Sequence, residues 1–451
     1  MPERPSSDSI STQLQRIAEL ARQSPEMVFT TLAHHIDIEF LLEACRRTRK
    51  DGAVGVDGQT ARDFAENLEE NLLSLLDRFK SGSYRAPPVR RVLIPKDDGK
   101  SQRPIGIPTF EDKALQRAVV MVLEAVYEQD FLDCSFGFRP GRSAHQALDA
   151  LWKGLMRMGG GWVLEVDIRS FFDAMDKGHL RSFLDQRVRD GVIRRTIDKW
   201  LAAGVLDDGC LRYPETGSPQ GGVVSPILSN VYLHEVLDKW FEDVVKPRLE
   251  GEAFLIRYAD DATLVFSCER DVRRVMDVLP KRFAKYGLTL HPTKTRLLDF
   301  RRPTGPNGRD GGGSHSLPST FDLLGFTHYW GRSRRGKWVV KKKTSKKSFR
   351  RSVRSVAQWC RRFRHEKVWW QHRALVRKLN GHYGYYGITG NGTALGRFLV
   401  AVTRAWWKWL SRRSHRARLT WDRFNAILRR YPLPAPRVVH SVYRRAAKPC
   451  A

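Results

Sequence analysis

The sequence predicts an α+β fold of several domains, with a helical and strongly basic C-terminal region. Short runs rich in β-branched and aromatic residues occur at 89–94, 161–168 and 254–266, between longer stretches with the apolar spacing of amphipathic helices. A basic region begins at residue 341, and helical patterns follow in it from residue 345. A chain of 451 residues is long enough for about three domains, and a hydrophobic content of 41% is enough for packed cores.

The individual elements follow from local spacing and from breakers. Apolar residues with helical periodicity predict helices at 12–24, 38–48, 60–79, 110–129, 219–237, 272–286, 345–364, 368–379 and 395–410. The run 89–94 alternates like a strand, and a polar loop containing Gly99 joins it to a second β-type run, which predicts a hairpin. Residues 321–326 are predicted as one strand, after a Gly/Pro/Ser-rich loop at 301–320.

Positive charge is concentrated in the C-terminal part of the chain. Residues 331–451 hold 33 Lys and Arg but only Glu366 and Asp422, a net charge of +31 in a chain whose total is +30. The same residues hold 8 of the 13 tryptophans. Cations that pair with phosphates beside rings that stack on bases are typical of nucleic-acid binding. A basic face that served only solubility would not explain the near absence of acids.

Composition also argues against membrane and disulfide-rich proteins. No apolar run approaches the roughly 18 residues that span a bilayer, and residues 1–11 are polar without the apolar segment of a signal peptide. We therefore expect a cytoplasmic protein that has no membrane partner. No Cys-x-x-Cys pair occurs, so single packing cysteines are favoured over disulfides or a zinc site. The cysteines are Cys45, Cys134, Cys210, Cys268, Cys360 and Cys450.

Acidic residues stand at the ends of two predicted β-elements. The run 254–266 reads as a hairpin with Asp260 and Asp261 at its tip, and the run 161–168 places Asp167 near its end. Adjacent carboxylates in an apolar setting repel each other unless a cation lies between them. An acidic surface turn is the alternative for the hairpin alone. If all three carboxylates converge, they form the oxygen ligand set of a two-Mg²⁺ phosphoryl-transfer site.

Three sequence blocks resemble the successive palm motifs of reverse transcriptases. They are DIRSFFD at 167–173, PQGGVVSP at 219–226 and YADD at 258–261, and their wording is similar to that of bacterial group II intron-encoded reverse transcriptases, the maturases. The resemblance extends over roughly residues 51–443. It implies a right-hand polymerase, with a fingers and palm reverse transcriptase domain followed by an α-helical thumb that is also the maturase domain.

The resemblance also implies a domain order. An N-terminal helical extension (1–60) would precede the fingers (61–161) and the palm (162–330). The thumb or maturase domain (331–430) would follow, with a short basic tail (431–451). Neither paired Cys-x-x-Cys motifs nor a trailing acidic/His module is present, so we expect no HNH endonuclease domain.

Catalytic roles come from the same resemblance. It implies that Asp167, Asp260 and Asp261, with the carbonyl of Ile168, hold two Mg²⁺ ions, for which Mn²⁺ can substitute. Lys294 matches the lysine that follows the catalytic hairpin, a candidate general acid for the pyrophosphate leaving group.

Nucleotide and RNA contacts are the remaining expectations. Lys96 and Arg103 match fingers residues that hold the triphosphate, although lone cations are more often solvated surface groups. Gln220 would hydrogen-bond near the template–nucleotide pair. Phe172 would exclude a ribose 2′-hydroxyl or simply pack in the core. The RNA-binding candidates are Arg139, Arg142, Arg361 and Tyr383, the last of which is equally compatible with packing between helices.

The function implied is an RNA-directed DNA polymerase that also binds its intron RNA, assisting splicing and retrohoming. Its partners would be group II intron RNA, target DNA or primer, and dNTPs; the oligomeric state stays open. Two rivals remain. One is a maturase that acts only as an RNA-binding splicing factor. The other is a domesticated reverse transcriptase of a defence, CRISPR or diversity-generating system.

Overall fold

The computed structural model describes residues 7–95, 102–207, 210–212, 221–303, 319–414 and 419–441. The chain divides into two compact units. The first contains residues 1–151 and 161–297, and the second contains residues 152–160 and 298–451. Within the described residues, none of the helices is both long enough and apolar enough to cross a membrane.

The first unit mixes helices and strands, as predicted. Its helices are α1 (Ser7–Gln23), α2 (Ile38–Arg47), α3 (Ala61–Glu66), α4 (Leu68–Ser81), α5 (Phe110–Tyr127), α6 (Ala144–Met158, whose last turns belong to the second unit), α7 (Phe171–Ala174), α8 (Lys177–Asp185), α9 (Gly191–Ala202), α10 (Ser225–Leu233) and α11 (Glu269–Lys285). Its strands are β1 (Val89–Pro95), β2 (Gln102–Ile107), β3 (Trp162–Val166), β4 (Val205–Asp207), β5 (Cys210–Arg212), β6 (Ala253–Tyr258), β7 (Asp261–Phe266) and β8 (Arg296–Asp299, in which the two units divide).

These strands form two sheets. In the first, of order β2-β1-β4-β5, β1 and β2 pair antiparallel with Ile94 opposite Arg103, which confirms the predicted hairpin. In the second, of order β6-β7-β3-β8, β7 pairs antiparallel with both β6 and β3. The predicted hairpin at 254–266 is also confirmed, since β6 and β7 are joined by a turn of Ala259 and Asp260.

Helix α5 lies inside the core of the first unit. Thr109 caps its first turn by accepting a hydrogen bond from the amide of Asp112. Most of the helix is buried, and its apolar residues pack in one cluster with α1, α2 and α10. A helix that is apolar on nearly all sides is expected to be a central one.

The prediction of one helix over residues 60–79 is wrong at its middle. Thr60 and Asp63 form a capping box that starts α3, but the helix ends at Asn67, whose φ of −122° and ψ of 47° are not helical. The Asn71 side-chain amide donates to the carbonyl of Phe64 at 3.0 Å, which satisfies an end of α3. Asn side chains form such local hydrogen bonds in place of helical ones. The prediction used apolar spacing alone and therefore missed the break between α3 and α4.

The helix predicted at 219–237 begins later and runs further. Helix α10 begins at Ser225, with Pro226 in its first turn, where the missing proline N–H is tolerated. It continues through π-helical segments at His234–Asp238 and Trp240–Val245, and then through a 3₁₀ turn at Lys246–Arg248. Buried side chains along this extension keep it packed beyond the predicted end.

The second unit combines a small sheet with helices. Its strands are β9 (Phe321–Leu323), β10 (Phe326–Arg332) and β11 (Trp338–Thr344), in the order β11-β10-β9. Its helices are α12 (Lys346–Arg362), α13 (Val368–Tyr386), α14 (Gly392–Leu410) and α15 (Trp421–Arg430). The buried indole of Trp406 donates to Gln371 at 2.8 Å, which joins α14 to α13.

The single strand predicted at 321–326 is instead a tight hairpin. Leu323 pairs with Phe326, and the turn between them has left-handed backbone at Leu324 (φ 50°) and Gly325 (φ 79°). Gly tolerates this conformation and is a signal for such turns. The prediction overlooked that signal in an otherwise apolar run.

Candidate functional site

The tip of the β6–β7 hairpin presents two adjacent carboxylates. Tyr258 pairs with Asp261, so Ala259 and Asp260 form the turn itself. Ala259 has a left-handed backbone with φ of 57°, a conformation that costs a non-glycine residue about 1 kcal/mol. Two-residue hairpin turns commonly need positive φ because it matches the twist of the strands. The strain at Ala259 therefore fixes the direction in which Asp260 and Asp261 leave the strands.

The pairing of β3 with β7 brings the third carboxylate to the same place. Val166, the last residue of β3, pairs with Ala262 of β7, so the next residue, Asp167, comes opposite Asp261. Two distant parts of the sequence, one with Asp167 and the other with Asp260 and Asp261, thus come together at one end of this sheet. The predicted convergence of Asp167, Asp260 and Asp261 is present in the fold.

The electrostatics of the three groups reflect crowding. The pKa of Asp261 is raised to about 6, chiefly by burial and then by the charges of Asp260 and Asp167, while Lys294 and Arg103 act to lower it. Burial also raises the pKa of Asp260. Asp261 as a whole residue stays exposed, so water still screens part of this repulsion. The carboxylates repel one another, and they need positive charge to be ionised together.

Lys294 supplies part of that charge. Its ammonium lies 3.1 Å and 3.3 Å from the two carboxylate oxygens of Asp167. The main chain around Asp167 is held as well, since its carbonyl accepts the amide of His291 at 2.8 Å and Arg169 donates to Thr289 at 2.8 Å. Neither of these main-chain bonds uses the carbonyl of Ile168, the residue between them.

The donor set fits a hard divalent cation by its chemistry. Among the described residues, no group of three or more His, Cys, Asp or Glu is spaced to hold a metal ion as it stands. Carboxylate oxygens are nevertheless the ligands that Mg²⁺ prefers, and burial together with the charges of Asp260 and Asp167 raises the pKa of Asp261. A bound cation would relieve that repulsion and would share Asp167 with Lys294.

Strand β2 contributes a cation that acts on these carboxylates and a close main-chain contact with Gly221. Arg103 of β2 is exposed, and its charge lowers the pKa values of Asp260 and Asp261. Gly221 has φ of 117°, and a Cβ there would lie 2.6 Å from the Gly106 carbonyl of β2. The main chain at Gly221 therefore lies in close contact with β2. Lys96 and Gln220 lie outside the described residues.

Phe172 follows Asp167 by five residues in the chain. It follows Ser170, which has a left-handed backbone with φ of 46°, in the short helix α7. Phe171 is buried, whereas Phe172 is only partly buried and packs edge-on against it at 5.3 Å between ring centroids. A ring that is partly exposed here is available to a ligand.

Comparison with known proteins agrees with this geometry. Residues 94–328 match the family described as reverse transcriptase (RNA-dependent DNA polymerase). The chain belongs to this family. The matched region contains the three carboxylates, Arg103 and Lys294, and it ends before α12.

Relatives of this reverse transcriptase include intron-encoded proteins. The chain is 38% identical over 233 residues to the group II intron-encoded protein LtrA of Lactococcus lactis subsp. cremoris, covering 50% of this chain and 38% of LtrA. It is equally identical over 233 residues to protein YkfC of Escherichia coli (strain K12), covering 61% of that protein. It is 31% identical over 230 residues to nuclear intron maturase 2, mitochondrial, of Arabidopsis thaliana, covering 31% of it. The matches thus span less than two thirds of each of these relatives.

Two residues that were predicted to contact RNA, Arg139 and Tyr383, are buried. The guanidinium of Arg139 is buried, and its donors bind Glu128 and the carbonyls of Phe131, Leu132 and Ser135. Tyr383 is fully buried, with its hydroxyl donating to the Pro434 carbonyl at 3.2 Å. Both residues stabilise the protein itself, because neither has a free polar group at the surface.

The other two RNA candidates keep exposed charge. Arg142 pairs with the exposed Asp133 at 2.5 Å and lies over the ring of Phe136. Arg361 of α12 is exposed and lies 5.7 Å from the ring centroid of Trp409. A phosphate could compete for either guanidinium, since pairs with exposed partners are weak.

Sequence reasoning missed a buried polar network that contacts the main chain at Val224. Asp112 of α5 accepts from the Trp200 indole at 2.7 Å and from Gln116 at 3.0 Å, and burial raises its pKa to about 6. Gln116 in turn accepts the amide of Val224 at 3.2 Å. Polar residues four positions apart in an otherwise apolar helix were the available signal.

Proposed function

We propose that this chain is an RNA-directed DNA polymerase of the group II intron type, which also binds intron RNA. The observation that carries the proposal is the β3–β7 register, which brings Asp167 opposite Asp261 beside Asp260. The family match over residues 94–328 and the intron-encoded relatives support it. The substrates would be dNTPs, an RNA template and a DNA or RNA primer end.

In this proposal Asp167, Asp260 and Asp261 hold two divalent cations, with the Ile168 carbonyl as a further oxygen ligand. Two Mg²⁺ ions, or Mn²⁺ in their place, would lower the barrier to attack by the primer 3′-hydroxyl and neutralise the leaving pyrophosphate. Arg103 and Lys96 would bind the triphosphate of the incoming nucleotide, Arg by a bidentate fork and Lys as a point charge. Gln220 would bind beside the template–nucleotide pair.

Lys294 has two roles in the proposal, and both rest on its position. Its salt bridge to Asp167 keeps the charge of that carboxylate balanced. The ammonium is 59% exposed, so it can also reach a ligand and donate a proton to the leaving group. The two roles are compatible because Lys carries three N–H donors.

RNA binding is assigned to the basic helices of the second unit. Trp409 of α14 is surrounded by cations, with Arg361, Lys408 and Arg412 each within 5.7 Å of its ring centroid. Trp421 is 43% exposed and stacks on Trp407 at 4.6 Å. Cations for phosphates next to exposed rings for bases are the chemistry of single-stranded RNA recognition.

The deciding experiment is primer extension on an RNA template with dNTPs and Mg²⁺. Wild type should extend the primer, and Asp260→Asn should not, because the amide cannot supply the ionised oxygen ligand. Asp173→Asn is the matched control: this exposed acid lies in the same DIRSFFD block, and its main chain only closes a turn with Ser170. Loss of extension in the control would mean that the ligand set is wrongly assigned.

Binding of intron RNA should be separable from polymerisation. Asp260→Asn is expected to retain RNA affinity within about twofold, since the contacts are assigned to phosphates and bases on the second unit. If neither protein extends a primer while both bind intron RNA tightly, the chain acts as a splicing factor alone. If Asp260→Asn loses RNA binding and primer extension together, the assignment of these two activities to separate residues is wrong.

The role of Phe172 is tested by comparing the incorporation of ribonucleotides with that of deoxyribonucleotides. Phe172→Ala should accept ribonucleotides at least about tenfold better relative to dNTPs, because removing the ring opens space for a 2′-hydroxyl. Phe171→Leu is the control, because this neighbouring ring is buried and packs in the core. Single-nucleotide incorporation with dGTP and GTP gives the ratio of kcat/KM values. If kcat/KM fell equally for dGTP and GTP in both variants, Phe172 would serve only to pack the core.

A further inference from the structure

A buried ion pair lies next to the turn formed by Ala259 and Asp260, which we call the catalytic turn because the proposed function assigns Asp260 to catalysis. Arg257 of β6 and Asp238 are both 0% exposed, and the guanidinium binds the carboxylate through two parallel bonds of 2.8 Å and 2.6 Å. Burying such a pair is costly, and apolar residues of similar volume often replace one without loss of stability. Its presence at this point therefore suggests a role besides stability.

The remaining donors of Arg257 reach the catalytic turn and its surroundings. Nη1 donates to the carbonyl of Ala259 at 3.1 Å and to Oδ1 of Asn230 at 3.0 Å, and Nη2 donates to the hydroxyl of Ser135 at 2.7 Å. Ala259 is the residue with left-handed backbone immediately before Asp260. The guanidinium thus holds the strained peptide from which the catalytic carboxylates project.

Residues 134–137, in the loop after α5, pack against the same turn and against Arg257. The main chain of Arg257 exchanges hydrogen bonds with Cys134 and Phe136, at 2.8 Å and 2.9 Å. Asn230 donates to the carbonyl of Gly137 at 2.8 Å, and a Cβ on Gly137 would lie 2.2 Å from the amide nitrogen of Ala259. The turn is therefore clamped between this loop and the Arg257 side chain.

The π-helical segment after α10 explains how Asp238 reaches Arg257. In a regular α-helix, residues eight positions apart, such as Asn230 and Asp238, lie about 80° apart around the axis. The wider π-turn at His234–Asp238 rotates less per residue and returns Asp238 toward the face of Asn230. Both side chains then bind the same guanidinium. Such π-segments are frequent at functional sites.

We infer that Arg257, oriented by Asp238 and Asn230, is a positioning residue that fixes the Ala259 carbonyl and thereby the placement of the Asp260 and Asp261 carboxylates. The inference rests on the proposed function, because it assigns those carboxylates to catalysis. Arg257 itself is buried and does not touch substrate. It acts on the reaction through the geometry of the ligands, and loosening it should weaken the productive binding of metal.

The test is Arg257→Lys, with Arg187→Lys as the matched control. Lysine preserves the charge opposite Asp238 but cannot reproduce the fork that also holds Ala259. Arg187 is another buried arginine of the first unit, paired with Asp130 at 2.8 Å and bound to carbonyls at the end of α1. Both substitutions should lower the melting temperature, so unfolding alone cannot separate a positioning role from a structural one.

The separating readout is the Mg²⁺ dependence of primer extension at saturating primer–template. Arg257→Lys should raise the Mg²⁺ concentration for half-maximal activity by about 10- to 100-fold, as loss of a residue that supports metal ligands does. The KM for dNTP should change little, because Arg257 does not contact the nucleotide. Arg187→Lys should keep the Mg²⁺ dependence of wild type.

The outcomes distinguish this inference from the proposed function. If wild type fails to extend a primer, the proposed function is wrong. If wild type extends but Arg257→Lys matches Arg187→Lys in Mg²⁺ dependence, the positioning role is overturned. If Arg257→Lys does not fold, Asn230→Ala decides instead: it removes one acceptor of the guanidinium and the link to Gly137, so an unchanged Mg²⁺ requirement would overturn the inference.

Discussion

Replacing Asp261 by Asn is expected to abolish DNA synthesis and to stabilise the metal-free protein. Loss of an ionised metal ligand should lower kcat by at least about 10²-fold, which corresponds to about 3 kcal/mol of transition-state stabilisation. The same change removes a carboxylate whose pKa is raised to about 6 by burial and by Asp260 and Asp167. If the proposed metal site is right, repulsion among its carboxylates destabilises the fold when no cation is bound.

The sign of the stability effect follows from that pKa. Asp261 titrates above its ordinary value in the folded protein, so its charge destabilises the fold progressively as the pH rises through about 6. The gain from Asn should be complete near pH 7.5 and absent near pH 4. Since the residue is exposed and water screens the repulsion, we expect about 1 kcal/mol or less, or roughly 2 °C in Tm.

Thermal unfolding with and without Mg²⁺ checks this prediction. Millimolar Mg²⁺ should raise the Tm of wild type by binding the folded state, and should raise that of Asp261→Asn less. Asp277→Asn is a suitable control, because this exposed acid of α11 is not part of the site. A metal-free Asp261→Asn protein that melts below wild type at pH 7.5 would show that the carboxylates do not repel.

The β6–β7 hairpin was predictable because its signals are local. Runs rich in apolar and β-forming residues on both sides of Asp260 and Asp261 predict two strands and a short turn, and Asp167 lies near the end of another such run. The convergence of the three depended on strand pairing, which the sequence suggested only through the family resemblance. The β3–β7 register then provides the physical reason, since Val166 opposite Ala262 leaves no other place for Asp167.

Long-range polar pairing could not be read from the sequence in the same way. Arg139 and Arg257 look alike as isolated cations, but the fold buries both and commits their donors to protein partners. The link from Asp238 to Arg257 depends on a π-turn that apolar spacing does not encode. Whether an arginine meets RNA or a buried carboxylate is decided by tertiary packing, and sequence composition does not report it.

Gly137→Ala should damage the active site more than an Ala substitution usually does. The new Cβ would lie 2.2 Å from the Ala259 nitrogen and 2.9 Å from the Tyr258 carbonyl carbon, both of them main-chain atoms. Main chain cannot move aside as the end of a flexible side chain does, so the loop and the turn must separate. Overpacking of this kind costs about 1–3 kcal/mol or more.

The separation would act on the residues that carry the proposed chemistry. Moving Ala259 away from the loop shifts Asp260 and Asp261, and a displacement of about 1 Å can cost about 10²-fold in rate. We therefore expect Gly137→Ala to lose at least that factor in primer extension together with a lower Tm. Gly52→Ala is the matched control, since the nearest atom to its added Cβ is 3.8 Å away.

The comparison of activity with stability decides how the two effects are linked. Measured below the Tm of the variant, where the protein is fully folded, the loss of kcat in Gly137→Ala should persist. If activity returned to that of wild type under those conditions, the close packing of Gly137 on Ala259 would serve stability alone. A further result to look for is that Gly137→Ala and Arg257→Lys show the same persistent loss of kcat and the same increase in Mg²⁺ requirement. That result would mean that the loop at Gly137 and the buried arginine together hold the catalytic turn in place.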